Sequence, residues 1–137
     1  MTCPPILGTL ESALYAPDLA AAEAFFGGIL GLPVIGRVEG RHVFFRVGPS
    51  ILLVFNPEAT LQPARPGALP IPTHGTTGPG HYCMTIASEN RAAWIEHLQS
   101  HGIEIEAQIS WPGGGHSLYI RDPAGNSIEF ADAALWA

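Results

Sequence analysis

Positive charge is scarce in this sequence. Six lysine and arginine residues stand against twelve aspartates and glutamates, for a net charge of -6 and a pI near 5.4. That balance repels phosphate backbones and anionic lipid surfaces, and no basic cluster offers a local exception, so neither nucleic acid nor a membrane is an expected partner. Cysteine is scarce too: Cys3 and Cys83 are too few for a disulfide framework and are not spaced as a zinc pair, which points to reduced thiols. The opening MTCPPILGTL has neither a basic n-region nor a sustained apolar h-region, and no later run approaches a bilayer span. The expected location is the cytoplasm. What the sequence does have is 47% apolar and only 13% charged residues over 137 positions, the composition of one globular domain, residues 1–137, with a real core.

The chain reads as one module written twice. Leu7 to Tyr15 is extended in pattern, and Asp18 can cap a helix whose apolar positions Leu19, Ala22, Phe26 and Leu30 recur at helical spacing until Gly31 and Pro33 stop it. Gly27 and Gly28 weaken that helix. Three short strands fit 33–39, 42–47 and 50–56. The second half repeats the order: a strand at 81–86, a helix capped by Ser88 with Trp94, Ile95 and Leu98 inward and Gly102 at its end, then strands at 104–108, 116–121 and 127–132. Between the modules, approximately 5–56 and 81–133, residues 57–80 are too rich in proline and glycine for regular structure and read as a linker or lid.

Strand parity puts Ser127 and Glu129 on one face and Ile128 and Phe130 on the other, which leaves a carboxylate on a strand whose opposite face is apolar. Overlaying the two halves gives that carboxylate company. Glu11 falls on His81, each about seven residues before its helix cap, and Ser50-Ile51-Leu52 falls on Ser127-Ile128-Glu129. Three of the four equivalent positions carry groups able to ligate a metal, and the fourth is Leu52.

These segments resemble the vicinal oxygen chelate superfamily, which includes glyoxalase I, fosfomycin-resistance proteins, extradiol dioxygenases, methylmalonyl-CoA epimerase and bleomycin-binding proteins. LESALYAPDLAAAEAFFGGILGLPV resembles its first strand and helix, GHYCMTIAS its fifth strand and HSLYIRDPAGNSIEF its closing hairpin. The resemblance implies an α+β fold of two βαβββ modules whose curled mixed sheets form a metal-binding cavity. It implies His81 and Glu129 as ligands, with Glu11 at a first-strand position more often held by histidine, and it leaves Leu52 unable to serve at the fourth place. One imidazole and two carboxylates suit a divalent ion, Fe2+ or Mn2+ ahead of Zn2+ or Ni2+, with positions left for a substrate chelating through two oxygens.

By the same resemblance Tyr119, about ten residues before Glu129, matches a substrate-contacting tyrosine of the ring-cleaving members. His74, in the linker, is the candidate acid, base or extra ligand. Cys83 and Thr85 share the His81 face and read as pocket wall, while WPGGGHS lacks the residues of a phosphate loop and reads as a hairpin loop. The orientations of His42, His116 and Arg121 are open at this level. The expected function is a metal-dependent small-molecule enzyme, dioxygenase-like or lyase/isomerase-like, acting as a homodimer. The alternative is a metal-free ligand-binding protein of the bleomycin-resistance kind.

Overall fold

The computed structural model describes residues 2–137. The chain opens with β1 (Glu11–Tyr15), followed by α1 (Leu19–Glu23), which continues without a break into a π-helical segment, Ala24–Ile29. Strands β2 (Val34–Val38), β3 (His42–Val47) and β4 (Ser50–Phe55) complete the first module. A short helix α2 (Pro57–Thr60) opens the connection to β5 (His81–Thr85). A 3-10 turn (Ser88–Asn90) leads into α3 (Arg91–Ser100), and β6 (Ala107–Ser110), β7 (His116–Arg121), β8 (Ser127–Ala131) and a 3-10 turn (Ala133–Trp136) close the chain.

The expected duplication is present. Each module is one four-stranded sheet, ordered β1-β4-β3-β2 and β5-β8-β7-β6, with the outer pair parallel and the hairpins antiparallel. The two sheets do not close into a barrel. Alternation sends Leu14, Val43, Phe45, Leu52 and Val54 of the first sheet, and Met84, Leu118, Ile120, Ile128 and Phe130 of the second, into one apolar core with Phe25, Phe26 and Leu98 of the helices. The opposite face of each sheet is left for function.

Several local expectations need correction. Leu7 to Leu10 carries no strand; only Glu11–Tyr15 pairs, because β4 offers partners for those five residues alone. The first helix widens where Gly27 and Gly28 lower the cost of departing from α geometry, and Leu30 N–H bonds Phe25 O at 2.9 Å, five residues back. That extra residue per turn lets adjacent Phe25 and Phe26 both be buried. Ser88 is not the cap of the second helix: Ala87 and a 3-10 turn precede it, with no side-chain cap bond. Asp18, by contrast, caps α1 as expected, its Oδ1 accepting from Ala21 N–H at 3.0 Å. The linker is not wholly irregular, since Asn56 caps α2 and Pro57 sits at its first turn, where its missing N–H costs nothing. The sixth strand lies at Ala107–Ser110, later than expected, in register with Tyr119 to His116.

Candidate functional site

The turn DPAGNS builds the base of the site. Asp122 Oδ1 accepts from the backbone N–H groups of Ala124 and Asn126, at 3.1 and 2.7 Å, and Gly125 takes the positive φ of 89° that the tight reversal needs. Asn126 is buried and satisfied on every side: its Nδ2 donates to Asp122 Oδ2 and to Tyr15 O, and its Oδ1 accepts from Gly80 N–H at 2.7 Å. One side chain therefore ties the end of β1, the residue before His81 and the start of β8. Ser127 N–H adds a bond to Gly80 O.

From that base β5 and β8 run parallel, with His81 opposite Ser127 and Cys83 opposite Glu129, while Tyr119 of β7 lies opposite Glu129 on the other side. Glu129, only 5% exposed, sends Oε1 to within 3.1 Å of His81 Nε2, and its Oε2 accepts the Ser117 hydroxyl at 2.5 Å. His81 Nδ1 lies 3.1 Å from Ser127 O. Ser127 Oγ lies 3.3 Å from the same nitrogen, so Nδ1 either donates to the carbonyl or accepts from that hydroxyl; Nε2 accordingly faces the carboxylate as an acceptor open to a metal or as an N–H donor. The ring of Tyr119 stacks beside that of His81, with centroids 6.2 Å apart.

The negative field of Glu129 marks its neighbours. The Cys83 thiol is pushed up to about 12, by burial first and by the carboxylate second. Tyr119 is raised for the same two reasons in the same order. A thiol so disfavoured as thiolate is wall rather than nucleophile. On the first sheet, His42 is lowered by burial and by Arg41, and its ring lies flat on Phe44 at 3.9 Å.

His81, Glu129 and Tyr119 thus come together, but Glu11 does not join them within this chain. Glu11 stands exposed at the start of β1 on the other sheet, and among the described residues no group of three His, Cys, Asp or Glu side chains is placed to hold a metal ion. His74 is pinned to the first sheet: its Nδ1 is 2.8 Å from Tyr15 Oη, its backbone N–H donates to Thr60 O, and its ring packs edge-on to Phe55. Arg121 shares the Glu129 face by parity but spends its guanidinium on Glu106 and Gly125 O. His116 faces the other way, beside Asp132.

The fourth position of the internal repeat also moves. Glu11 pairs with Ile51 and His81 with Ser127, so counting along the partner strands places Leu53, not Leu52, opposite Glu129. Flanking strands agree, since Phe44 lies opposite Leu53 as Tyr119 lies opposite Glu129. Leu52 is fully buried in the core. Aligning Ser50 with Ser127 slipped the register by one residue, which reverses the face. The position remains a leucine either way. Two contributors were missed outright: Ser117, as the partner of Glu129, and Trp111, whose Nε1 donates to Ser117 Oγ at 2.8 Å. Strand parity puts Ser117 on the face of Tyr119, two residues away, and is the signal that could have found it; nothing local flags Trp111.

The sequence profile of the Glyoxalase/Bleomycin resistance protein/Dioxygenase superfamily matches residues 8–130. A crystal structure of lactoylglutathione lyase from Agrobacterium tumefaciens is 38% identical, covers 98% of this chain and 99% of its own, and superposes with a TM-score of 0.91. Two more distant structures share the fold: a glyoxalase family protein from Bacillus anthracis at 20% identity, covering 96% of this chain and 98% of its own with a TM-score of 0.71, and a fosfomycin resistance protein from Listeria monocytogenes at 19%, covering 94% and 95% with a TM-score of 0.67. No curated protein sequence matches. No helix among the described residues is long and apolar enough to cross a membrane. With a matching profile over most of its length and a 38% identical relative over nearly all of it, this chain belongs to the glyoxalase/bleomycin resistance protein/dioxygenase superfamily.

Proposed function

We propose that this protein is a divalent-metal-dependent enzyme acting on a small molecule that presents two neighbouring oxygens. The observation that carries the reading is the convergence of His81 Nε2 and Glu129 Oε1, two potential ligands 3.1 Å apart. An imidazole nitrogen and a carboxylate oxygen 3.1 Å apart share a cation, either a proton on Nε2 or a divalent ion that displaces it. Two donors about 2.1 Å from one ion and at right angles stand about 3.0 Å apart, so the spacing fits a shared ion. The bond from Nδ1–H to a backbone carbonyl is the usual support of a metal-bound imidazole. Mn2+ or Fe2+ suits this nitrogen and oxygen set, with Zn2+ or Ni2+ as alternatives.

Two protein donors are few for such an ion, and Glu11 is the third we assign, supplied by a second copy of the chain. The open, unclosed sheets and the exposed apolar residues just before β1, Ile6, Leu7 and Leu10, support a homodimer in which β1 of one copy faces β5 and β8 of the other. When bound, the ion supplies Lewis acidity that polarises the chelated oxygens. Tyr119, beside His81, orients the ligand through its hydroxyl, and Cys83 and Thr85 form wall. His74 is held against Tyr15 and Phe55 on the first sheet, so we assign it no acid-base part. Leucine at position 53 can neither coordinate nor carry a proton, which argues for weak activity on the hemithioacetal of glutathione and methylglyoxal although the Agrobacterium relative is a lactoylglutathione lyase.

That only two donors meet within one chain favours a second reading, a metal-free ligand-binding protein. Elemental analysis and Mn2+ binding separate the two. The first reading expects stoichiometric metal in the wild type and its loss in His81→Ala; a wild type that binds no divalent ion overturns it. A panel of catechols under oxygen, hemithioacetals, α-hydroxy carbonyl compounds and epoxides, run on the loaded protein, then assigns the reaction.

A further inference from the structure

The segment WPGGGHS lacks the marks of a phosphate loop, yet its first and last side chains form a relay that ends on Glu129. Trp111 Nε1 donates to Ser117 Oγ at 2.8 Å, and Ser117 Oγ donates to Glu129 Oε2 at 2.5 Å. Valence fixes the direction of this chain. An indole nitrogen can only donate, so Ser117 accepts there and has one proton left, which goes to the carboxylate. Ser117 is fully buried and Glu129 nearly so, which raises the cost of losing the bond between them.

The loop is shaped to hold the indole in place. Trp111 N–H donates to Gly115 O and Gly114 N–H to Trp111 O, both at 3.0 Å. Gly114 and Gly115 take φ of 112° and 88°, and a Cβ on Gly115 would stand 2.8 Å from Leu135 N. Only glycine lets the hairpin pack so closely on the C-terminal turn.

A free carboxylate can rotate and chelate an ion through both oxygens. Here Oε2 is occupied. We infer that Ser117 and Trp111 are positioning residues: they fix the rotation of the Glu129 carboxylate so that Oε1 alone is presented beside His81. The inference rests on reading His81 and Glu129 as the binding pair, and extends it to a brace that the reading does not require.

The test uses the full chain labelled with 15N, in which three tryptophans give three indole N–H resonances and Trp111→Phe identifies one. In metal-free protein, Ser117→Ala and Glu129→Gln each shift the Trp111 resonance. Calorimetry with Zn2+ finds Ser117→Ala weaker than wild type by roughly tenfold or more, the usual effect of removing a ligand's supporting partner. Trp111→Phe, on a partly exposed loop, moves the affinity in the same direction and covers the case of Ser117→Ala failing to fold. A Trp111 resonance indifferent to Glu129→Gln, or Zn2+ affinities in Ser117→Ala or Trp111→Phe equal to wild type, overturns the brace. If the wild type binds no Zn2+, the metal reading fails by itself, and the brace is then decided by the metal-free resonance: a shift upholds it, none refutes it.

Discussion

Replacing Glu129 by glutamine keeps the side chain's size and removes its charge, and the geometry gives the change opposite signs with and without metal. In the metal-free protein, with the His81 proton on Nδ1 toward Ser127 O, Nε2 and Glu129 Oε1 are two acceptors 3.1 Å apart. Glutamine relieves this, because its carbonyl still accepts the Ser117 proton while its NH2 donates to Nε2. One repulsive contact becomes one hydrogen bond, and a buried carboxylate becomes a neutral amide. At about 1 kcal/mol for the bond, and a similar amount for the charge, the variant gains about 1–2 kcal/mol. For a domain of this length that raises the melting temperature by about 3–7 °C. With Mn2+ at a hundred times its dissociation constant, the wild type gains about 2.7 kcal/mol that the variant lacks, and the order inverts. Scanning calorimetry in EDTA and again in Mn2+ reads both halves. A glutamine variant that melts below wild type in EDTA would refute the tautomer with its proton on Nδ1 and show Nε2–H donating to Glu129. A variant stabilised by Mn2+ as much as wild type would refute the shared ion.

Cys83 and Cys3 are both exposed yet should differ toward a thiol reagent: with its thiol pushed up to about 12, Cys83 in EDTA-treated protein at pH 8 should react more slowly than Cys3. Glu129→Gln should speed the slow one, and two equally fast thiols count against the assignment. Leu52→Ala should cost about 2–5 kcal/mol in chemical denaturation because Leu52 is fully buried, whereas Leu53→Glu should be tolerated and strengthen Mn2+ binding; the reverse pattern would restore the slipped register. Tyr119→Phe should retain metal and stability but lower turnover on the true substrate, and unchanged kinetics would return Tyr119 to packing. His42, lowered in the folded state, binds its proton more readily unfolded, so its contribution to stability is present above about pH 6.5 and is lost as the pH falls below it. His42→Phe should flatten that acid limb, and an unchanged limb would mean His42 does not govern it.

Local periodicity carried most of the fold into the sequence. Alternation in HSLYIR and SIEF, helical spacing around Phe26 and Leu98, and the punctuation of Gly31, Pro33 and Gly102 act within a few residues, so they are legible without tertiary structure. The repeat was legible for the same reason, whereas the meeting of His81 with Glu129 was implied only by the family resemblance. Register between distant strands is different. Whether Leu52 or Leu53 faces the site depends on which residue of β4 meets Glu11, and that is set by the parallel pairing of β1 with β4 rather than by anything adjacent in the chain. Side-chain convergence is likewise non-local. Only the packed molecule hung His74 on Tyr15, kept Glu11 on a separate sheet, and sent the indole of Trp111 through Ser117 to Glu129, because each contact needs two or three elements fixed in space before it exists.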